Sequence, residues 1–525
     1  MSARSVFVTA LCVVSLAACT EQEHLPKGSS DRPDIIVLSI DTLRPDHLAS
    51  YGYERETSPF MDELARTGTR FGDAWAPAPW TLPSHATMLT GQLPMRHHAI
   101  EDAHVVDAGS PALAAAFRAA GYKCMAAVAS IFVSSKYGLD RGFDRFEDFG
   151  IAAGELEKGE EIDAQQVFDA AMAWAEEQPG GEPIFLFLHV YDVHYPYDAP
   201  APYNAKFGPA APRDALLYEN YFHYLRQPLT PEQMSRQIEQ YDEEIAYTDA
   251  MFGAFHSRWT GRRPNAIFSV VSDHGEEFGE RGSWGHAHTL MPEVLRIPWI
   301  VSGPGVKAQS HGARVGLEDL APTLAGLANL TFADGDGVSL AQLIRHGLVP
   351  SRPHAAASLA STSRFQTLKL RWHAAPHDLV VDLAQGGYAL YNLETDPGAF
   401  ENLLPDHTDK AIQLNAQMFR ALGQPWVALA DGRLETDGII VVDGARQQSP
   451  LLLEAGQRFA LFPLDARLSF HPDAGESSGP WQLLGGAVPS PDEAALAYEG
   501  EIPQVAPVAL SPEQEEQLRA LGYIR

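Results

Sequence analysis

Cysteine is nearly absent: the 525-residue chain has three. Cys12 and Cys19 fall in or beside an N-terminal apolar run, so only Cys124 belongs to the folded region and no disulfide framework is available. A large core must therefore hold the domain, and a chain of this length can bury one. Positive charge is also scarce. With 38 Lys and Arg against 68 Asp and Glu, the formal net charge is −30. That balance excludes nucleic acid as a partner, because no cationic excess exists to displace phosphate counterions. An anionic ester can still bind, provided a local positive centre such as a metal supplies the attraction. No internal repeat is found, and the longest apolar run, "SVFVTALCVVSLAA", is too short and too early to be a membrane-spanning helix.

What the chain does have is alternation. "IIVLSI" (35–40) is a short apolar run of β-branched type, the pattern of a buried parallel strand, and it ends at Asp41. "SPFMDELARTG" (58–68) reads as a helix with Ser58 as N-cap and Gly68 as stop. "SPALAAAFRAAG" (110–121) is a second helix and "YKCMAAVAS" a strand after it. The amphipathic stretch 163–178, the strand opening "IFLFLHVYDVHYPY" (184–197) and a long helix over 230–259 follow. "AIFSVVSDHG" (266–275) and "IPWIVSGPG" are strands, and "LEDLAPTLAGLAN" is a helix. Short apolar strands alternating with helices over some three hundred residues predict a doubly wound α/β sheet with a smaller C-terminal subdomain. Past about residue 350 the pattern changes to antiparallel strands, a helix near 405–422, a β-rich stretch over 425–505 and one terminal amphipathic helix.

The N-terminal run ends in "LAAC" (16–19), which resembles the bacterial lipoprotein cleavage box. That resemblance implies a signal peptide over 1–18, lipidation of Cys19, a polar tether to residue 33 and attachment to a membrane through the lipid. Thr20 in place of Asp resembles outer-membrane sorting, so the expected location is the cell envelope, facing the periplasm. The catalytic domain is expected over 34–345, a C-terminal subdomain over 346–424 and a β-rich extension with a terminal helix over 425–525.

In an open α/β sheet, ligands bind beyond the C-terminal ends of the strands. Asp41 follows one strand, and Asp273 with His274 follows another. Two strands delivering two carboxylates and an imidazole to one edge suit a divalent cation. "WTLPSHATMLTG" supplies a helix start with Thr81 as N-cap and Pro83 in the first turn, and Thr81 can complete the set.

The motifs "SIDTLRPDHLASYGY", "PWTLPSHATMLTG", "RGFD", "VSDHGEEFGE", "WGHAHTLMPEVLRIPWIVSGPG" and "LYNLETDPGAFENL" occur in that order. Together they resemble the sulfatase-like branch of the alkaline phosphatase superfamily, over roughly residues 33 to 405. The resemblance implies metal-assisted displacement at sulfur or phosphorus through a covalent enzyme intermediate. It places Asp41, Asp273 and His274 at metal-ligand positions and Thr81 at the nucleophile, with one divalent cation (Ca, Mn, Mg or Zn). His194, from "HVYDVHYPY" with His189 and Asp192, matches a histidine near the substrate. His286 and His288 match positions that contact substrate oxygens or the leaving group. A second metal on Asp192, His194 and His288 is a further possibility.

The departures narrow the chemistry. The sulfatase signature is Cys or Ser followed by x-Pro-x-Arg, and maturation converts the first residue to formylglycine. Here that residue is Thr81, whose β-methyl forbids the aldehyde, and the Arg is His85, which joins the catalytic candidates. The family's second Asp is Thr42, and its Lys-and-His sulfate motif has no counterpart in "VASIFVSSKYGLDRGFD". The expected function is metal-dependent hydrolysis of phosphodiester, phosphonate or phosphate esters through Thr81. The alternatives are sulfuric ester hydrolysis, phospho-group transfer to a cell-envelope glycan or lipid, and a binding protein on the same fold.

Overall fold

The computed structural model describes residues 32–422 apart from 157–160, 179–180, 210–228, 351–356, 363–366 and 383–386; beyond 422 it describes short segments between 426 and 498. The expected signal peptide, Cys19, most of the tether and the terminal helix lie outside the described residues. Among these residues no helix is long and apolar enough to cross a membrane.

Strands β1 (Asp34–Ile40), β2 (Thr69–Trp75), β3 (Lys123–Val128), β4 (Arg145–Glu147), β5 (Ile184–Val190) and β6 (Ala266–Ser272) enter the main sheet in chain order. After the short hairpin β7 (Glu277–Phe278) and β8 (Trp284–Gly285) come β9 (Arg296–Ser302), β10 (Gln309–His311) and β11 (Val315–Gly316). The sheet order is β10-β2-β9-β6-β1-β5-β3-β4, with β11 also on β2. Strands β1, β5 and β6 are buried at every position, the consequence of helices covering both faces of a parallel sheet. Strand β9, the "IPWIVS" run, is antiparallel to both β6 and β2, so the sheet is mixed on that side.

Strand order reverses at β1, with β6, β9 and β2 on one side and β5, β3 and β4 on the other. Such a reversal opens the crevice at which α/β sheets bind ligands. Ile40 is level with Val190 of β5 and Ser272 of β6, so Asp41, Tyr191 and Asp273 leave three adjacent strands side by side. The site is built there.

Helix Ala164–Glu177 starts at Asp163 with a complete capping box, and the long helix Pro231–Arg262 has another at Thr230. The helix expected over 110–121 is shorter, Leu113–Ala119, because its first turn has no side-chain cap. Thr81 is the first residue of helix Thr81–Thr90 rather than its cap; Trp80 holds the capping position in extended conformation and makes no side-chain capping bond. The hydroxyl of Thr81 is thereby released from the capping role the sequence assigns it.

The C-terminal strands β12 (Ala357–Thr362), β13 (Thr367–Ala374), β14 (His377–Asp382) and β15 (Gly387–Asn392) form an antiparallel sheet in sequential order. Arg371, fully buried, pairs with Asp378, donates to the carbonyl of Leu290 and lies 5.0 Å over the Trp75 ring. Ser358 donates to the Ala76 carbonyl at 3.1 Å. These contacts fasten the small sheet to the α/β domain beside the segment that carries His286. Helix Thr408–Leu422 follows, and the strands between Trp426–Ala428 and Leu496–Tyr498 are antiparallel, as the β-rich pattern suggests.

Candidate active site

Asp41, Thr81, Asp273 and His274 meet in the interior with no solvent exposure. One ligand atom from each of Asp41, Asp273 and His274 lies within 4.8 Å of the others. His274 Nδ1 donates to the carbonyl of Gly275 at 2.9 Å, so Nε2 is the nitrogen turned inward. It stands 3.3 Å from Asp273 Oδ2, 3.5 Å from Asp41 Oδ1 and 3.5 Å from the Thr81 hydroxyl. Neither of those two carboxylate oxygens accepts a hydrogen bond.

That geometry fits a cation. Buried carboxylate oxygens without donors are costly unless an ion or proton meets them. Burial lifts Asp41 to about 7 against the pull of His274. Burial and the neighbouring Asp41 lift Asp273 as well. Burial opposes charge on His274, yet the Asp273 and Asp41 carboxylates outweigh it and raise the imidazole. Two crowded carboxylates and an imidazole anchored through Nδ1 form a mixed oxygen and nitrogen donor set for a divalent ion.

Support comes from Thr42 and His189, neither of them an expected ligand. Thr42 has a left-handed backbone, φ 55°, unusual for a β-branched residue. Its N–H donates to Asp273 Oδ1 at 3.2 Å, its hydroxyl to Val193 O at 2.8 Å, and its carbonyl accepts from Tyr241. Where the family has an Asp, this Thr points its hydroxyl at the chain and orients Asp273 through the backbone. His189 receives the Ala129 N–H on Nδ1, so Nε2 carries the hydrogen and donates to Asp41 Oδ2 at 3.1 Å.

His85 sits beneath Thr81. Its Nδ1 donates to the Thr81 carbonyl at 2.8 Å and its Nε2 accepts from Ser39 at 3.0 Å. Burial lowers its imidazole to about 3, so it is a neutral strut between β1 and the start of helix Thr81–Thr90. Both ring nitrogens are engaged in these contacts.

His194 and His286 lie on the outer side of the metal-ligand cluster. Their rings are 5.0 Å apart, and the His286 ring is 4.6 Å from that of His274. Burial holds His194 well below the usual imidazole range, as does the neighbouring His286. His288 differs from expectation: Nδ1 donates to the His286 carbonyl, and Nε2 meets Glu277 at 3.1 Å. Asp192 accepts from the Ala164 N–H at the start of its helix. Among the described residues, Asp192, His194 and His288 do not bring ligand atoms together as a metal-ligating group; the backbone holds Asp192 Oδ1, and Glu277 holds His288. The second-metal expectation is corrected accordingly.

A sulfatase family model matches residues 33–330, more than half of the chain. The chain belongs to the sulfatase family. This family member is 24% identical over 454 residues to a choline-sulfatase of Rhizobium meliloti, covering 75% of this chain and 86% of that protein. It is 24% identical over 430 residues to a Δ4,5-hexuronate-2-O-sulfatase of Bacteroides thetaiotaomicron, covering 72% and 86% respectively. Its fold is similar to the crystal structure of a phosphonate monoester hydrolase of Agrobacterium radiobacter, with TM-score 0.62, 20% identity, and 74% of this chain and 95% of that one covered. As a sulfatase-family member the protein is a sulfatase-like ester hydrolase with the fold expected from its motifs.

Proposed function

We propose that this sulfatase-family enzyme cleaves anionic esters by attack of the Thr81 oxygen, with phosphonate and phosphodiester bonds preferred to sulfate esters. One observation carries the reading: the Thr81 hydroxyl lies 3.5 Å from the inward nitrogen of His274, at the start of an uncapped helix. A divalent cation held by Asp41, Asp273, His274 and Thr81 would lower the hydroxyl pKa and neutralise charge on the ester oxygens. Uncapped N–H groups of the first helical turn favour an anion at the same place. Thr81 bonds to phosphorus as its hydroxyl proton passes to a histidine of the site, and the bond to the alcohol breaks as that proton passes on to the departing oxygen. Water then attacks phosphorus and the hydroxyl of Thr81 is restored. His194 and His286 contact the transferred group or the departing oxygen, while His85 and His189 hold Thr81 and Asp41.

Sulfate ester hydrolysis is the second reading, favoured by the names of the curated relatives. A turnover panel decides between them: 4-nitrophenyl sulfate, phosphate, phosphodiester and phosphonate esters, each with several divalent metals. The first reading expects phosphodiester or phosphonate cleavage to exceed sulfate cleavage; the opposite order favours the second.

We also propose that the protein is a lipoprotein of the cell envelope, on the strength of "LAAC" after the short apolar run. Cys19→Ser is expected to abolish labelling by a radiolabelled fatty acid and move the protein from the membrane to the soluble fraction. Wild-type protein that is soluble, with a mature N-terminus elsewhere, would overturn this.

A further inference from the structure

Glu276 is a carboxylate in the interior that none of these roles uses. Its side chain has no exposure, and its Oε1 lies 3.0 Å from His286 Nδ1. The backbone around His286 is fixed from several directions. Ala287, at φ 69°, donates to the Pro79 carbonyl at 2.9 Å. Arg371 holds the Leu290 carbonyl and Lys369 the His288 carbonyl. Those contacts place the Cα of His286 and leave the ring unsettled, because the χ2 torsion of histidine is broad and roughly two-fold. A half-turn exchanges the positions of the ring's nitrogen edge and its carbon edge. The Glu276 contact selects the orientation that turns Nδ1 toward Oε1.

We propose that Glu276 is a positioning residue for the hydrolase: by engaging Nδ1 it fixes the His286 ring so that Nε2 is the nitrogen offered to the ester. The proposal rests on the reading of His286 as a group that contacts the ester. Its ring occupies the right place for such a task, with His274 on one side and His194 on the other. Tyr197, whose hydroxyl lies 3.5 Å from Glu276 Oε2, steadies the carboxyl from behind. A buried carboxyl is expensive to keep unless its partner needs it.

A double-mutant cycle on the metal-loaded, full-length protein tests this, with kcat, KM and bound metal measured for each variant. Glu276→Ala is expected to lower kcat by roughly 10- to 100-fold with KM and metal content little changed, the range for loss of an orienting partner. Glu276→Gln, whose amide oxygen still accepts from Nδ1, is expected to recover most of that loss. In a His286→Ala background, Glu276→Ala is expected to cost nothing further. Additive losses, a Gln variant as impaired as Ala, or loss of metal from a folded Gln variant would each overturn the proposal. Full activity in His286→Ala would overturn it too, whereas failure of the Thr81 reading shows separately as undiminished turnover in Thr81→Ala.

Discussion

Thr81→Ala is expected to lose nearly all turnover, a fall of roughly 10³- to 10⁶-fold in kcat, as when other covalent nucleophiles are removed. The fold should be unaffected, since Thr81 makes no capping bond for its helix. Thr81→Ser is expected to retain part of the activity, because the hydroxyl survives without the methyl that restricts its rotamer. The substrate dependence is sharper. In the sulfatases that this chain resembles, an aldehyde hydrate carries a second hydroxyl that expels sulfate by C–O cleavage. Threonine has no second hydroxyl, so release must come from water attacking the transferred group itself. On the proposed reading phosphorus accepts that attack, and a sulfated Thr81 is expected to turn over slowly or accumulate. Mass spectrometry of protein incubated with 4-nitrophenyl sulfate reads the adduct directly. Rapid multiple turnover of a sulfate ester by unmodified Thr81 would falsify this account.

Asp273→Asn and His274→Ala are each expected to strip bound metal and activity together, and Asp273→Asn to leave thermal stability close to wild type. The second half follows from the electrostatics. Burial raises both Asp41 and Asp273, and the neighbouring Asp41 charge raises Asp273 further, so the apo protein is relieved when the Asp273 charge is removed. A large loss of stability in the apo form of Asp273→Asn would contradict that strain. Elemental analysis of the purified proteins checks the other half: a variant with full metal content and full turnover removes its residue from the site.

Much of this was legible because strand ends are. A buried β-branched run that stops at an acidic residue says where the side chain will be, and Asp41 and Asp273 meet through the register of β1 with β6. The supports were harder to read. His85 comes four residues after Thr81 on its helix, and nothing in that spacing says that its far nitrogen meets Ser39 on β1. Thr42 looked like a missing ligand; only its left-handed backbone shows that its N–H does the work on Asp273. His288 shares with His286 the spacing that suggested a pair, but alternate residues of a loop face different partners, and Glu277 took it. Glu276 sat unnoticed between better-known neighbours, since a sequence gives no sign of which buried carboxylate lacks a metal to bind.

The reach of Arg371 across to Leu290 changes what counts as the enzyme. Every proposed metal ligand and the proposed nucleophile precede residue 345, so a shortened gene ending there would encode all the proposed reactive groups. It would not encode the lysine and arginine that hold the backbone at His288 and Leu290. Such a fragment would carry the chemistry without its alignment, like a lens removed from its mount. Selection on the small antiparallel sheet is then selection for accuracy, and drift in its strands is bounded by what one loop of the larger domain tolerates.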